Sequence, residues 1–181
     1  MIRFNVADIN LCTEVEGPGK RMTIWFQGCT LKCLNCSNQF LQALTPNHIL
    51  KLEELEEIAI KAINQYGIEG VTYLGGEPTI QLALPSLTAS LKKLGLGIIA
   101  FTGRIYDDVS DILQGCDMVI DGPYIEEKRS FSRKIIGSSN QRIIHLTNRY
   151  KTREDWFMNN ESIVGEFSIH GGELVFNGST I

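Results

Sequence analysis

The chain lacks several things, and each absence narrows what it can be. It has no apolar run approaching the ~18 residues of a membrane-spanning helix. It has no surplus of positive charge: 17 Lys and Arg against 21 Asp and Glu give a net charge of −4, which offers no footprint for nucleic acid. Its opening Met1-Ile2-Arg3-Phe4-Asn5-Val6-Ala7-Asp8 has no apolar core of the kind secretion signals carry, so a cytoplasmic address is expected. Histidine is scarce, and no two of His48, His145 and His170 stand at metal-ligand spacing. Cysteine is odd in number, at five. In a reducing compartment disulfides are rare, and clustered cysteines are read as metal ligands or redox groups.

What is present fits one domain: 181 residues, 43% hydrophobic and 21% charged, with no repeat, low-complexity tract or linker. Thr23-Ile24-Trp25-Phe26 reads as a strand that ends at Gln27-Gly28-Cys29, with at least one of the two aromatics in the core. Leu52, Leu55, Ile58, Ala59, Ala62 and Ile63 fall at helical spacing after a glutamate-rich first turn, with Gly67 as the stop. Val71 to Leu74 reads as a strand broken by Gly75-Gly76-Glu77-Pro78, and Leu84, Leu87, Leu91 and Leu94 mark a helix closed by Gly95. A strand at Ile98–Phe101, a helix from about Asp107 to Leu113, a strand at Met118–Ile120 and a further strand at Gln141–Leu146 continue the alternation. Strands alternating with helices imply a parallel sheet with right-handed crossovers. Phe167, Ile169, Leu174 and Phe176 alternate around Gly171-Gly172 and predict a C-terminal β-hairpin. The expected fold is therefore α/β, an open, partial parallel β/α barrel with that hairpin, since a full barrel needs ~250 residues. Residues 1–146 are expected to form the core and 147–181 an extension packed on the same domain.

Gly28-Cys29, Gly75-Gly76-Glu77, Thr102-Gly103 and Asp121 each follow a predicted strand closely. In a parallel sheet those strand ends lie on one side, where ligands bind. Three of the five cysteines, Cys29, Cys33 and Cys36, share one short segment with spacing Cys-x3-Cys-x2-Cys. Soft thiolates suit an iron–sulfur cluster, and three of them leave one iron of a [4Fe-4S] cubane open to a substrate. A zinc ion completed by Cys12 or His48 is the competing reading, although zinc sites more often pair two Cys-x2-Cys units. Cys116 beside a strand reads as a small buried hydrophobe.

The cysteine loop with its preceding glycine resembles the signature of the radical S-adenosylmethionine superfamily, and Gly75-Gly76-Glu77-Pro78 resembles its second motif. Glu16-Gly17-Pro18-Gly19-Lys20-Arg21, Thr102-Gly103, Val119 to Pro123 and the Gly137-Ser138-Ser139-Asn140-Gln141 run extend the likeness to the small activators of anaerobic ribonucleoside-triphosphate reductase, over roughly residues 5 to 146. By themselves Gly17 to Arg21 and Gly137 to Arg142 read as surface turns. The resemblance implies that Cys29, Cys33 and Cys36 hold one [4Fe-4S] cluster, and that Asn35, Cys36, Ser37, Gly75 and Gly76 lie beside S-adenosyl-L-methionine, with Glu77, Thr102 and Asp121 lining the same site. It implies reductive cleavage of that cofactor to a 5′-deoxyadenosyl radical, a glycyl-radical enzyme as partner, and a flavodoxin or ferredoxin-type electron donor. Residues after about Thr147 depart from the activators and leave open a second function, direct modification of a peptide or small molecule. A non-enzymatic iron–sulfur or zinc module is the third reading.

Overall fold

The computed structural model describes residues 1–158, 165–170 and 173–178. Seven strands form one sheet: β1 (Arg3–Thr13), β2 (Arg21–Phe26), β3 (His48–Lys51), β4 (Gly70–Gly75), β5 (Gly97–Phe101), β6 (Met118–Asp121) and β7 (Arg142–His145). Their spatial order is β3-β1-β2-β4-β5-β6-β7, and the sheet does not close on itself. β2, β4, β5 and β6 run parallel, as the strand–helix alternation required. The connections carry α1 (Leu52–Tyr66), α2 (Leu84–Lys93) and α3 (Tyr106–Val109).

Both flanks differ from the sequence expectation. β1 and β3 pair antiparallel beside β2, and β7, expected only as one more strand, runs antiparallel to β6. No crossover helix separates β6 from β7, so nothing brings the chain back to a parallel start. The helix expected over 107–113 is a single turn, α3, followed by turns at Val109 and a left-handed Gly115. Asp107, Asp108, Ser110 and Asp111 are weak helix formers, and their short polar side chains compete for the backbone. α1 forms as read: the Glu54 carboxylate accepts from the Lys51 backbone N–H at 2.7 Å, and Gly67 closes the helix at φ 64°.

Alternation along the parallel strands divides the interior in two. Met22, Ile24, Phe26, Val71, Tyr73, Ile98, Ala100 and Val119 point outward to Leu55, Ala59, Leu84, Leu87 and Leu91 of the helices. Ile99, Met118 and Ile120 point to the concave face, where Ile136, Tyr150 and Phe157 cover them. Phe157 lies in α4 (Asp155–Met158), so the segment after Thr147 supplies part of the barrel's filling. Burying such side chains stabilises by about 1.5–3 kcal/mol each.

The amino end of the concave face is sealed by a polar plug. Arg21, read from sequence as part of a surface turn, is fully buried. Its guanidinium donates to the Thr72 hydroxyl and the Tyr150 hydroxyl, each at 2.7 Å, and to the Val71 carbonyl at 2.8 Å. Burial pulls the Arg21 guanidinium below its ordinary range, against the raising effects of Tyr150 and Glu69.

Of the C-terminal hairpin, β8 (Gly165–His170) and β9 (Glu173–Gly178) pair antiparallel as expected; the Gly171-Gly172 turn lies outside the described residues. The Glu14 backbone N–H donates to Glu166 at 3.0 Å, which ties β8 to the chain just after β1.

Candidate cluster and cofactor pocket

At the carboxyl ends of the parallel strands lies a pocket of about 610 Å³. The chain reaches it first through the cysteine loop. The Gly28 N–H donates to the Leu41 carbonyl at 2.8 Å and the Cys29 N–H to the Gln42 carbonyl at 3.1 Å, so the loop leaves β2 and is fastened to its own far end. Lys32 and Asn35 take left-handed backbone conformations, at φ 51° and 54°. Those reversals wind the segment tightly, and Cys29, Cys33 and Cys36 all line the pocket. The three thiols are half-buried. Burial pushes the Cys29 thiol up, against the lowering effect of the Leu31 N–H, which donates to its sulfur at 3.4 Å. A bound metal reverses that balance, because a coordinating thiol is deprotonated outright.

The second wall is the end of β4. Gly75 sits at φ 118°, and a Cβ there would overlap the Phe26 backbone. A Cβ on Gly76 would overlap the Gly28 carbonyl oxygen. Glycine is needed at both because the cysteine loop and the strand end touch through bare backbone: the Gly76 N–H donates to the Phe26 carbonyl at 2.9 Å and the Glu77 N–H to the Gly28 carbonyl at 2.8 Å.

Glu77 is 1% exposed and works as a joint. Its Oε1 accepts from the hydroxyls of Thr79 and Thr102 at 2.7 and 2.8 Å and from the Thr79 N–H at 3.1 Å; Oε2 accepts from the Gly103 N–H at 2.9 Å. Buried carboxylates persist where hydrogen bonds compensate their lost hydration. Glu77 thereby clamps the ends of β4 and β5 together while lining the pocket.

Of the residues proposed from sequence, Cys29, Asn35, Cys33, Cys36, Ser37, Gly75, Gly76, Glu77 and Thr102 share this pocket. Asp121 does not line it. It has the same alternation as Val119 and faces the helix side, where it accepts from the Arg142 Nε at 2.9 Å and the Tyr106 N–H at 2.8 Å. Burial alone would raise the Asp121 carboxyl, but the Arg142 guanidinium and the Tyr106 N–H outweigh it and hold the group below the ordinary carboxylate range. Cys12 is also remote. Thr13 pairs with Arg21 and Val6 with Phe26, so Cys12 lies at the floor end of β2, roughly 17–20 Å from the cysteine loop by strand rise. That distance sets Cys12 apart from the three thiols. Cys116 is buried, with its thiol pushed up to about 12 by burial.

Sequence reasoning missed one whole wall. Residues 124–141 fold back over the concave face as a flap: the Ser130 N–H donates to the Gly137 carbonyl at 3.0 Å and the Ser139 N–H to the Lys128 carbonyl at 2.8 Å. Tyr124, Arg129, Phe131 and Arg133 bring this flap into the pocket lining. Its base is the Gly137–Gln141 turn, where the Arg133 guanidinium donates to the Ser138 and Gln141 carbonyls, both at 2.9 Å. Glu16, Trp25, Leu74, Phe101 and Ile136 also line it. Glu16 and the Gly137–Gln141 run stand in the motifs quoted above; Arg129 and Phe131 carry no periodic or spacing signal.

The chain is similar to known proteins. It is 26% identical over 143 residues to the anaerobic ribonucleoside-triphosphate reductase-activating protein of Salmonella typhi, covering 73% of this chain and 92% of that one. It is 29% identical over 148 residues to the protein of the same name from Enterobacteria phage T4, covering 77% and 93%. Among solved structures, QueE from Escherichia coli overlaps 56% of this chain and 53% of its own, at 22% identity and a TM-score of 0.46. Residues 15–144, which run from the pocket floor through the cysteine loop to β7, match the family described as a 4Fe-4S single cluster domain, and the chain belongs to that family.

Proposed function

We propose that the chain is a radical S-adenosylmethionine enzyme that activates a glycyl-radical enzyme resembling anaerobic ribonucleotide reductase. One observation carries the reading: three cysteine thiols and a glycine-only strand end open into the same pocket, at the carboxyl ends of four parallel strands. The donor set fits a [4Fe-4S] cluster: three soft ligands come from one wall, and Cys12 is too far away to close a fourth position. When bound, that cluster supplies the electron that cleaves S-adenosylmethionine to methionine and a 5′-deoxyadenosyl radical.

The chain's own part is to hold and shield. Cys29, Cys33 and Cys36 are the ligands. The bare backbone at Gly75 and Gly76 seats the strand end directly against the cysteine loop, and Asn35 and Ser37 offer polar groups around the methionine end. Trp25, Leu74, Phe101 and Ile136 exclude water from the reacting end, and a dry surround strengthens every polar contact made there. The choice of partner is supported by the relatives, which are named as activating proteins and matched over most of their length. The reading takes a one-electron carrier of flavodoxin or ferredoxin type as reductant and the cytoplasm as its setting.

The test is anaerobic reconstitution. Protein loaded with iron and sulfide and treated with dithionite and S-adenosylmethionine releases 5′-deoxyadenosine; the triple variant Cys29→Ala, Cys33→Ala, Cys36→Ala releases none. Loaded protein that neither binds nor cleaves S-adenosylmethionine overturns the proposal.

A further inference from the structure

The flap wall of the pocket is held from outside the flap. Arg133, Ile135, Ile136 and Gly137 line the pocket, yet Ile135 sits at φ 53°, in the left-handed region that a β-branched residue avoids. Such a backbone persists only where its surroundings over-determine it. Here the fastening comes from α4: the Lys134 N–H donates to the Phe157 carbonyl at 2.8 Å. The Lys134 ammonium lies 5.3 Å from the centre of the Trp156 ring, and Trp156 meets Phe157 edge-on at 4.9 Å. Phe157 is fully buried in the cluster that joins Ile135 and Ile136 to Ile99, Met118 and Ile120 of the sheet.

The segment that carries these two rings is itself tied down along its length. The Thr147 hydroxyl donates to Asp117 at 2.8 Å, and the Arg149 guanidinium donates to the Glu69 and Gly95 carbonyls, both at 3.0 Å. The Tyr150 hydroxyl accepts from Arg21 at 2.7 Å. Residues 147–158 thus run as a strap from the plug at the floor to the flap at the mouth. The family match ends at residue 144, so the strap lies beyond the shared domain.

We infer that Trp156 and Phe157 are positioning residues for the S-adenosylmethionine pocket: the strap holds the flap inward at Ile135 and so sets the wall against which the cofactor packs. Neither ring is among the residues that line the pocket, and both act through Ile135 and Ile136. An inward wall completes the enclosure of a bound ligand; a loose wall leaves that ligand half-solvated. The strap therefore governs how tightly the cofactor is held more than how fast it reacts once bound. The inference rests on the radical reading above for the identity of the ligand, while the hold on the flap is tested without it.

Limited trypsin digestion of the purified full chain, before any reconstitution, reads the flap directly, because Arg133 and Lys134 are half-buried cleavage sites within it. Phe157→Leu and Trp156→Ala speed cutting after these two residues by about tenfold, and low urea leaves that rate unchanged, as local opening requires. Trp156→Phe keeps a ring beside Lys134 and holds the rate within about threefold of wild type. Trp156 is only half-buried, so its variants carry the test alone if Phe157→Leu does not fold. In the reconstituted protein, driven by dithionite, Phe157→Leu and Trp156→Ala raise the KM for S-adenosylmethionine roughly five- to tenfold and leave kcat within about twofold. A purely structural role would lower the fraction of active protein and leave KM alone. Cutting at the wild-type rate in both variants overturns the strap, as does cutting that rises only in step with global unfolding in urea. Faster local cutting with an unchanged KM overturns the positioning role. Wild-type protein that fails to cleave S-adenosylmethionine strikes the radical reading, and the digestion still decides whether the strap holds the flap.

Discussion

Glu77 Oε1 accepts a hydrogen bond from the Thr102 hydroxyl at 2.8 Å, joining the ends of β4 and β5 beneath the pocket. Thr79 and Gly103 complete the joint, so the carboxylate is a fastening as well as part of the wall. Glu77→Ala leaves the Gly103 N–H and both hydroxyls without this acceptor. Buried unsatisfied groups cost roughly 1–3 kcal/mol each, partly relieved by water entering from the pocket, so a net loss of about 2–4 kcal/mol is expected. Urea unfolding of the cluster-free protein measures it, and a loss below about 0.5 kcal/mol would remove the joint from the account.

At the opposite end, Tyr150→Phe removes the hydroxyl to which Arg21 Nη1 donates at 2.7 Å, leaving that nitrogen only the Pro18 carbonyl at 3.3 Å. The ring stays and the cavity does not change, so the loss is that of one hydrogen bond to a buried charge, about 1.5–3 kcal/mol. Thermal unfolding should fall by roughly 3–10 °C. An unchanged midpoint would mean that the plug does not hold the segment after Thr147 to the barrel.

Gly76→Ala tests the close approach of the two pocket walls. The added Cβ overlaps the Gly28 carbonyl, so the cysteine loop must shift away from β4. Iron retained after reconstitution is expected to fall by half or more, while the cluster-free protein stays folded by circular dichroism. Full iron loading with unchanged S-adenosylmethionine affinity would show that the contact is not required.

Much of this was legible in the residues. The four parallel strands, the helices at 52–66 and 84–93 and the convergence of glycine-rich strand ends follow from periodicity and from where each run breaks. β1 was not legible, because Arg3 to Thr13 mixes polar and apolar residues and is mostly half-buried, so its alternation is blurred. Arg21 was misread because a charged residue after Gly-Pro-Gly normally faces water; here Thr72, Val71 and Gly97 of β4 and β5 and the Tyr150 hydroxyl, all distant in sequence, converge on it as acceptors, with the nearby Pro18 carbonyl as a fifth. The flap was invisible for the same reason. Arg129 and Phe131 acquire their place from the Gly137–Gln141 turn, a tertiary arrangement that no local period announces.

Acid should loosen the fold through Asp117. Burial alone would raise this carboxyl, but Lys92, the Ile98 N–H and the Thr147 hydroxyl hold it below the ordinary carboxylate range. A carboxyl depressed in the folded state stabilises fully above its unfolded value, near 4, and that contribution is lost as pH falls through the folded value. Stability measured by urea between pH 6 and pH 3 should decline, and Asp117→Asn should lower the plateau and flatten the slope. Parallel curves for both proteins would place the acid sensitivity elsewhere.

Asp121 separates a strand-end position from a role in the pocket. It ends β6 beside the binding side of the sheet, as Gly75 ends β4, yet its alternation turns the carboxylate toward α3 and Arg142. Asp121→Asn keeps the shape and an acceptor for the Tyr106 N–H but gives up the charge opposite Arg142, whose side chain is half-exposed and able to turn to water. A modest loss of about 1 kcal/mol in urea unfolding is expected, discounted for that exposure. S-adenosylmethionine affinity of the reconstituted variant, measured by equilibrium dialysis, should stay within about twofold of wild type, since a residue acting through another element moves affinity little. A tenfold loss of affinity with unchanged stability would turn Asp121 back into a pocket residue, and would require β6 to rotate on cofactor binding.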